Sequence, residues 1–278
     1  MTELFAEVNG IRICYEMHGE GNPLILVHGW GGTKEGWFVH IDALSKHFRV
    51  ITFDNRGAGK SDHPNIPYTM DMYADDIYGL LEFLKIEKTH IIGASLGGMI
   101  VLNFILKYPD KVNKVVLMNT WPGFPNEQGP EIYKESKITY YKELEKDPLN
   151  TFLKSTKSSF SREFWKKMVE NPKRKFFDLW SVEDLIERDL KSQYTPQDNE
   201  NAAYAVKGHN VQDRLHEIKS ETLILCGAKD RIAPLSVNKK MLEKIPNSTL
   251  KVIEDARHSL PLEKTPEVNN ILVDFLKK

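Results

Sequence analysis

The serine within Gly93-Ala94-Ser95-Leu96-Gly97 is the residue of this sequence best placed to do chemistry. The segment follows a short apolar run, residues 90–92, and precedes a helical pattern, so it predicts a sharp strand-to-helix turn. Glycines on either side avoid the side-chain collisions that such a turn creates. The turn exposes the serine hydroxyl at a helix N-terminus, where negative charge is stabilised. The pattern therefore predicts Ser95 as a nucleophile.

A serine hydroxyl becomes a good nucleophile only when a neighbouring base takes its proton, and His258 is predicted to be that base. His258 follows the last predicted strand, so it should lie at the same carboxyl edge of the sheet as Ser95. Four other histidines lie in polar stretches where a solvated surface position is expected: His40, His47, His209 and His216. His90 begins a strand at the opposite edge of the sheet.

The carboxylate that orients the imidazole is predicted to be Asp230, which lies just beyond the apolar run 223–226. The resulting chain order, serine, aspartate, histidine, is the one known for nucleophiles on such a turn. Asp255 is the alternative, but it lies only three residues before His258 in the same loop. A carboxylate at that position is expected to turn or cap the backbone.

Two backbone N–H groups are needed to stabilise the negatively charged oxygen of a tetrahedral intermediate. Leu96, which follows the nucleophile, is predicted to supply one. The second is predicted to come from Trp30 in the loop His28-Gly29-Trp30-Gly31-Gly32, where glycines allow the backbone to approach a substrate closely. We expect His28 to hold this loop by hydrogen bonds.

Strands that end near these residues are predicted from short, mostly apolar runs, which are typical of a parallel sheet covered on both faces. They are residues 24–27, 50–53, 90–92, 115–118, 223–226 and 250–253. A hairpin of residues 4–8 and 11–16 around Asn9-Gly10 precedes them. Helical periodicities alternate with the runs, over residues 37–48, 73–84, 96–108, 237–245 and 268–276. The alternation predicts an α/β fold with helices on both faces of the sheet.

Residues 121–208 interrupt this alternation because they contain helix-forming and aromatic residues but no β-branched apolar run. We predict a helical cap over 121–208, inserted into a core domain of residues 1–120 and 209–278. Trp30, Met99 and Trp121 are predicted to line a substrate pocket beneath this cap.

Composition argues against several other classes of protein. The 38 Lys and Arg residues balance 39 Asp and Glu residues, so nucleic acid and anionic membranes are not expected as partners. No apolar stretch approaches the roughly 18–20 residues of a membrane span.

The first residues predict no signal peptide, and two cysteines in apolar runs, Cys14 and Cys226, predict free buried thiols. A cytoplasmic location is expected, and the sequence leaves open whether the chain forms a homodimer.

Together these motifs resemble the α/β-hydrolase superfamily over nearly the whole chain. The matching landmarks are residues 28–32, 54–61 and 93–98, Asp230 and His258. The resemblance implies an eight-stranded, mostly parallel sheet with a helical cap inserted after the sixth strand. Within the superfamily, the compact size and Leu117-Met118-Asn119-Thr120 are most similar to carboxylesterases and 3-oxoadipate enol-lactonase-like hydrolases.

These features predict a serine hydrolase that cleaves an ester or lactone of a small to medium carboxylic acid through an acyl-enzyme on Ser95. Water completes such a reaction, so neither cofactor nor metal is expected. Two alternatives remain. Hydrolases of carbon–carbon bonds use the same three residues, and some members of the superfamily are small-molecule receptors that do not turn over.

Overall fold

Eight strands form one sheet in the computed structural model, which describes residues 3–124, 128–192 and 194–278. They are β1 (Leu4–Val8), β2 (Ile11–His18), β3 (Pro23–Val27), β4 (Arg49–Phe53), β5 (Thr89–Ala94), β6 (Val112–Met118), β7 (Glu221–Gly227) and β8 (Ser248–Ile253). Their order across the sheet is β1-β2-β4-β3-β5-β6-β7-β8. β2 is antiparallel to β1 and β4, and all other neighbours are parallel. The predicted eight-stranded, mostly parallel sheet is confirmed.

Side chains along the central strands alternate between two hydrophobic clusters, as the period of a strand requires. In β3, Leu24 and Leu26 belong to one cluster, and Ile25 and Val27 belong to the other. The first cluster is covered by α1 (Phe38–Leu44), α10 (Leu260–Glu263) and α11 (Thr265–Lys277). The second is covered by α2 (Met70–Phe83), α3 (Leu96–Lys107) and α9 (Leu235–Lys244). Burial on both faces explains why these strands are continuously apolar.

One predicted helix is shorter than its apolar pattern. The stripe over residues 37–48 predicts a single helix, but α1 ends at Leu44 and is preceded by a 3₁₀ turn, Lys34–Trp37. The chain turns after α1, where the N–H of Phe48 donates to the carbonyl of Leu44 at 3.0 Å. This turn brings Phe48 back into the same hydrophobic cluster, so the stripe continues after the helix has ended.

Five helices lie between β6 and β7 in the chain: α4 (Gly129–Leu144), α5 (Pro148–Thr156), α6 (Arg162–Glu170), α7 (Val182–Lys191) and α8 (Pro196–Lys207). Aromatic and aliphatic residues of α5, α6 and α7 share a third hydrophobic cluster, centred on Phe160 and Trp180. α8 instead contributes Ala202 and Val206 to the core cluster. This cluster also includes Val39 of α1, so these helices pack against the core. We refer to α4 to α8 as the cap helices, and the predicted cap domain over residues 121–208 stays a prediction.

A charged hydrogen bond joins α8 to the loop after β4. His63 Nδ1 lies 2.9 Å from Asp198 Oδ2, and its Nε2 lies 3.1 Å from the carbonyl oxygen of Gly59. Both ring nitrogens therefore face acceptors, and only the imidazolium form can donate to both. The Asp198 carboxylate accordingly raises the pKa of His63 above its ordinary value.

We expect the hydrogen bond between His63 and Asp198 to stabilise the fold more at low pH than at high pH. Because the pKa of His63 is higher in the folded than in the unfolded chain, its contribution is complete below the unfolded pKa of about 6.5. It is lost as the pH rises through the folded pKa. His63→Gln should therefore lower the urea midpoint more at about pH 5.5 than at about pH 8.5. His216→Gln, at an exposed position, is the control; an equal loss at both pH values would refute the link.

Among the described residues, no helix is both long and apolar enough to cross a membrane. Cys14 in β2 and Cys226 in β7 are free and buried, as predicted. Burial raises the pKa of Cys14 to about 11 and that of Cys226 to about 12, so both stay protonated thiols at neutral pH. Neither cysteine is therefore suited to act as a nucleophile.

Candidate active site

Ser95 lies at the turn between β5 and α3 in a strained backbone conformation. Its φ of 54° and ψ of −119° are rare for a residue with a side chain. The N–H of Ser95 donates to the carbonyl of Met118 at 2.9 Å, which fixes the turn to the end of β6. A Cβ on Gly93 would lie 2.4 Å from the carbonyl oxygen of Gly97, so this close turn requires glycine. The turn leaves the Ser95 side chain partly exposed at the N-terminus of α3.

Gly97 is the position where adding a methyl group should damage the turn most. A Cβ there would lie 2.0 Å from the carbonyl oxygen of Val27, which is backbone and has little freedom to move. We expect Gly97→Ala to lower the free energy of unfolding by about 1–3 kcal/mol, as overpacking does elsewhere. Gly36→Ala is the matched control, because nothing lies within 4 Å of its added methyl group. Equal urea midpoints for the two variants would contradict this expectation.

The structure brings Ser95, His258 and Asp230 together from three separate loops at the carboxyl edge of the sheet. His258 Nε2 lies 3.2 Å from Ser95 Oγ, and His258 Nδ1 lies 2.8 Å from Asp230 Oδ2. The side chain of Asp230 is fully buried, and that of His258 is 15% exposed. These contacts have the geometry of a nucleophile, a base and the group that orients the base.

The second oxygen of Asp230 is held by the backbone. Its Oδ1 accepts from the N–H groups of Ile232 at 2.7 Å and Ala233 at 3.0 Å. The carboxylate is thus fixed with Oδ2 directed at His258. The alternative, Asp255, is exposed and pairs with Lys229 at 2.7 Å, so its carboxylate is directed at another partner.

Two residues after β6, which sequence reasoning gave no part in the site, hold the other loops in place. Asn119 adopts a positive φ of 48°, and its side-chain amide donates to the carbonyl of His258 at 2.5 Å. The hydroxyl of Thr120 donates to the carbonyl of Ser95 at 2.7 Å. Their signal in the sequence was their position directly after a buried strand, at the edge where Ser95 and His258 were expected.

The loop after β3 passes directly beside the nucleophile. A Cβ on Gly29 would lie 3.3 Å from Ser95 Cβ, so glycine allows this approach. The Nε2 atom of His28 accepts from the N–H of Asn55 at 3.0 Å, which leaves its Nδ1 to donate to the carbonyl of Gly29 at 2.9 Å. Burial lowers the pKa of His28, in keeping with this neutral form. His28 therefore holds the loop by hydrogen bonds.

The two backbone N–H groups predicted to stabilise an oxyanion belong to Leu96, directly after Ser95, and to Trp30, directly after Gly29. Leu96 is the first residue of α3, so its N–H has no partner within the helix. Within the described part of the chain, neither this N–H nor that of Trp30 donates a hydrogen bond. Both donors are thus free for a ligand, and their role in catalysis stays a prediction.

A cavity of about 420 Å³ lies between the cap helices and the core beside His258. That volume is typical of small-molecule sites. The residues lining it are mainly tyrosines and small hydroxyl side chains, together with Lys137 and Asp189. They are Gly31, Tyr133, Ser136, Lys137, Tyr140, Tyr141, Ser155, Thr156, Ser158, Ser159, Asp189, Ile232, His258 and Ser259. Sequence reasoning missed this polar lining because it depends on how the cap packs.

The three side chains predicted to line the pocket are buried in the core cluster and do not line this cavity. Trp30 donates from Nε1 to Asn199 Oδ1 at 3.0 Å, so its ring is directed at α8. Trp121 lies with its ring centre 6.5 Å from that of His258, and Met99 is only 2% exposed. Their contact with substrate stays a prediction.

Two histidines expected on the surface are buried, so that expectation was wrong. His40 Nδ1 lies 2.5 Å from Asn269 Oδ1, because α1 packs against α11. His209 contacts Asn103 at 2.9 Å and the carbonyl of Trp121 at 3.3 Å. Burial lowers the pKa of each to about 4, so both are neutral near pH 7.

In the described part of the chain, one group of carboxylates lies close enough together to hold a metal ion: Glu3, Glu16 and Glu35. The ammonium of Lys34 already forms ion pairs with Glu3 and Glu35. The positive charge of Lys34 therefore already balances two of these three carboxylates.

Comparison with known proteins supports the same fold. The family model described as alpha/beta hydrolase fold matches residues 22–265. A curated relative from Paraburkholderia phymatum, a 2-hydroxy-6-oxononadienedioate/2-hydroxy-6-oxononatrienedioate hydrolase, is 31% identical over 274 residues. That alignment covers 96% of this chain and 91% of the relative.

Solved structures give the same result for the fold. The enol-lactonase from Burkholderia xenovorans has a TM-score of 0.82 and 23% identity, with 99% of this chain and 100% of that chain covered. The bromoperoxidase from Bacillus anthracis has a TM-score of 0.81 and 28% identity, with 100% of each chain covered. The names of these similar proteins differ in chemistry, so the fold does not choose among their reactions.

Proposed function

The chain belongs to the alpha/beta hydrolase family, and we propose that it is a serine hydrolase that cleaves an ester or lactone of a small to medium carboxylic acid. One observation carries the proposal. The Ser95 hydroxyl, the His258 imidazole and the Asp230 carboxylate are connected by contacts of 3.2 and 2.8 Å, beside a cavity that His258 lines.

In the proposed mechanism, Ser95 Oγ attacks the carbonyl carbon of the substrate while His258 Nε2 takes the hydroxyl proton. Asp230 holds the proton of His258 on Nδ1 and stabilises the imidazolium that forms. The backbone N–H groups of Trp30 and Leu96 stabilise the oxyanion, each by about 3–4 kcal/mol in the transition state. His258 then protonates the leaving oxygen, and the acyl group remains on Ser95.

Water then replaces Ser95 as the nucleophile, and hydrolysis of the acyl-enzyme completes the cycle. His258 removes a proton from water, the resulting hydroxide attacks the acyl-enzyme, and the imidazolium returns a proton to Ser95 Oγ. The carboxylic acid leaves, and the enzyme is ready for another substrate. For a lactone, the leaving oxygen stays joined to the acyl group, so the product is a single hydroxy acid.

A series of p-nitrophenyl esters from acetate to decanoate tests this proposal. We expect many turnovers per chain, with a preferred acyl length that reflects the depth of the cavity. Release of a single equivalent of nitrophenol per chain would instead favour the receptor alternative. A complete lack of reaction with these esters and with simple lactones would contradict the esterase and lactonase proposal.

Hydrolysis of a carbon–carbon bond is the second candidate reaction. It is suggested by the Paraburkholderia phymatum relative, which is named as a hydrolase of 2-hydroxy-6-oxononadienedioate and is 31% identical to this chain. The test is direct incubation with 2-hydroxy-6-oxononadienedioate. If kcat/KM for that compound exceeds the value for every ester and lactone, the carbon–carbon hydrolase is the better description.

A further inference from the structure

One lysine stands out in the cavity beside His258. Lys137 is the only lysine or arginine among the described residues lining it, and it projects from α4 in the cap. Its Nζ lies 5.5 Å from the ring centre of Tyr133 and 5.8 Å from that of Tyr140. These aromatic faces stabilise a cation while removing much of its water. A half-buried ammonium is screened less by solvent than one on the open surface, so it attracts an anion more strongly.

Lys137 lies close to the loop that passes the nucleophile. A Cβ on Gly31 would lie 3.1 Å from Lys137 Nζ and 3.3 Å from the hydroxyl oxygen of Tyr141. Tyr141 also donates its hydroxyl to the carbonyl of Gly31 at 2.9 Å. Gly31 follows Trp30, whose N–H is one of the proposed oxyanion donors. Lys137 and His258, the proposed base, therefore line the same cavity.

No carboxylate in the described part of the chain forms an ion pair with Lys137 within 4.0 Å. Asp189, the one carboxylate in the cavity lining, accepts the hydroxyl of Tyr140 instead. Burial opposes the charge on Lys137, but the phenol oxygens of Tyr133 and Tyr141 and the Asp189 carboxylate outweigh it and raise the pKa of Lys137 above its ordinary value. The ammonium thus stays charged at neutral pH.

We propose that Lys137 binds a carboxylate on the substrate, so that this hydrolase prefers esters or lactones whose acyl part carries a second, negatively charged carboxyl group. A single ammonium balances one negative charge, and the nearby Asp189 disfavours a doubly charged group such as a phosphate monoester. The hydroxyl side chains around the cavity supply further donors to carboxylate oxygens, among them Ser136, Ser155, Thr156 and Ser159. This inference rests on the proposed function, because it names the substrate class for the same site.

Matched pairs of esters test the inference. The mono-p-nitrophenyl ester of adipate and p-nitrophenyl hexanoate have the same acyl length and differ by the terminal carboxylate; the suberate and octanoate esters form a longer pair. We expect the wild type to have at least about tenfold higher kcat/KM for the charged member of one pair. Lys137→Met should lower this preference by roughly 10- to 100-fold, mainly through KM, as for a lost hydrogen bond to a charged group.

Lys137→Arg should retain most of the preference, because it keeps the charge. Lys142→Met is the matched control, since Lys142 is exposed in the last turn of the same helix. It should leave the preference unchanged. Two results would overturn the inference: no preference in the wild type, or an equal loss for charged and neutral esters in Lys137→Met. An equal loss would mean that Lys137 supports the loop at Gly31 or the oxyanion itself.

A binding measurement separates this inference from the proposed function. If the wild type hydrolyses neither member of any pair, the esterase proposal fails, and adipate is then titrated into Ser95→Ala by calorimetry. Binding that falls at least about tenfold in the Ser95→Ala, Lys137→Met double variant supports carboxylate recognition without hydrolysis. No binding, or equal binding by both proteins, refutes it.

Discussion

Replacement of Ser95 by alanine is expected to lower kcat/KM for p-nitrophenyl esters by at least about 10³-fold. The change removes the hydroxyl proposed to form the acyl-enzyme, while Trp30 and Leu96 keep the N–H groups proposed to stabilise the oxyanion. The residual rate should therefore come from water attack on a bound ester. KM should change little, since Ser95 Oγ contributes mainly to the chemical step.

Controls for this variant must show that the fold survives. Ser95 holds the turn through its backbone N–H and carbonyl, which contact Met118 and Thr120, so alanine leaves both contacts in place. The urea midpoint should stay close to that of the wild type. If Ser95→Ala folds normally and retains the activity of the wild type, the nucleophile is another residue.

Asp230→Asn should lower kcat by up to about 10⁴-fold, the loss measured for the same change in another serine hydrolase. The reason lies in the two N–H groups of Ile232 and Ala233 that donate to Oδ1. They require an oxygen at that position, so the asparagine NH₂ group must face His258 Nδ1. The imidazole must then carry its proton on Nε2, where it can no longer accept a proton from Ser95.

Asp255→Asn is the matched control, because it makes the same change in the loop of His258 at an exposed carboxylate. We expect it to leave kcat within about twofold of the wild type, as for most changes to surface ion pairs. If Asp255→Asn instead causes the larger loss, Asp255 rather than Asp230 orients the imidazole.

Local patterns in the sequence could predict most of the core. The central strands of the sheet are apolar runs whose alternate side chains enter opposite clusters, and Asn9-Gly10 marks the first hairpin. The turn at Ser95 was predictable for the same local reason, since Gly93 is required by a contact within the turn. Asp230 and His258 could be predicted to lie near each other because both follow predicted parallel strands, whose carboxyl ends meet at one edge of the sheet.

Features that depend on packing between distant elements could not be predicted. His40 lies in a polar stretch, but the packing of α1 against α11 buries it beside Asn269. The cavity depends even more on packing, because Lys137 lines it as a result of the contact between α4 and the loop of Gly31. The helical pattern of α4 did not indicate which of its lysines faces the core. Sequence reasoning therefore predicted which side chains meet at the carboxyl edge of the sheet but missed the polar lining of the cavity.

Detection of the acyl-enzyme tests the central claim most directly. The wild type would be mixed with excess p-nitrophenyl ester, quenched in acid during turnover, digested and examined by mass spectrometry. We predict one acyl group on the peptide that contains Ser95, and none in Ser95→Ala treated in the same way. Hydrolysis that continues while no acyl group is found on Ser95, or an acyl group on another residue at turnover, would contradict the account.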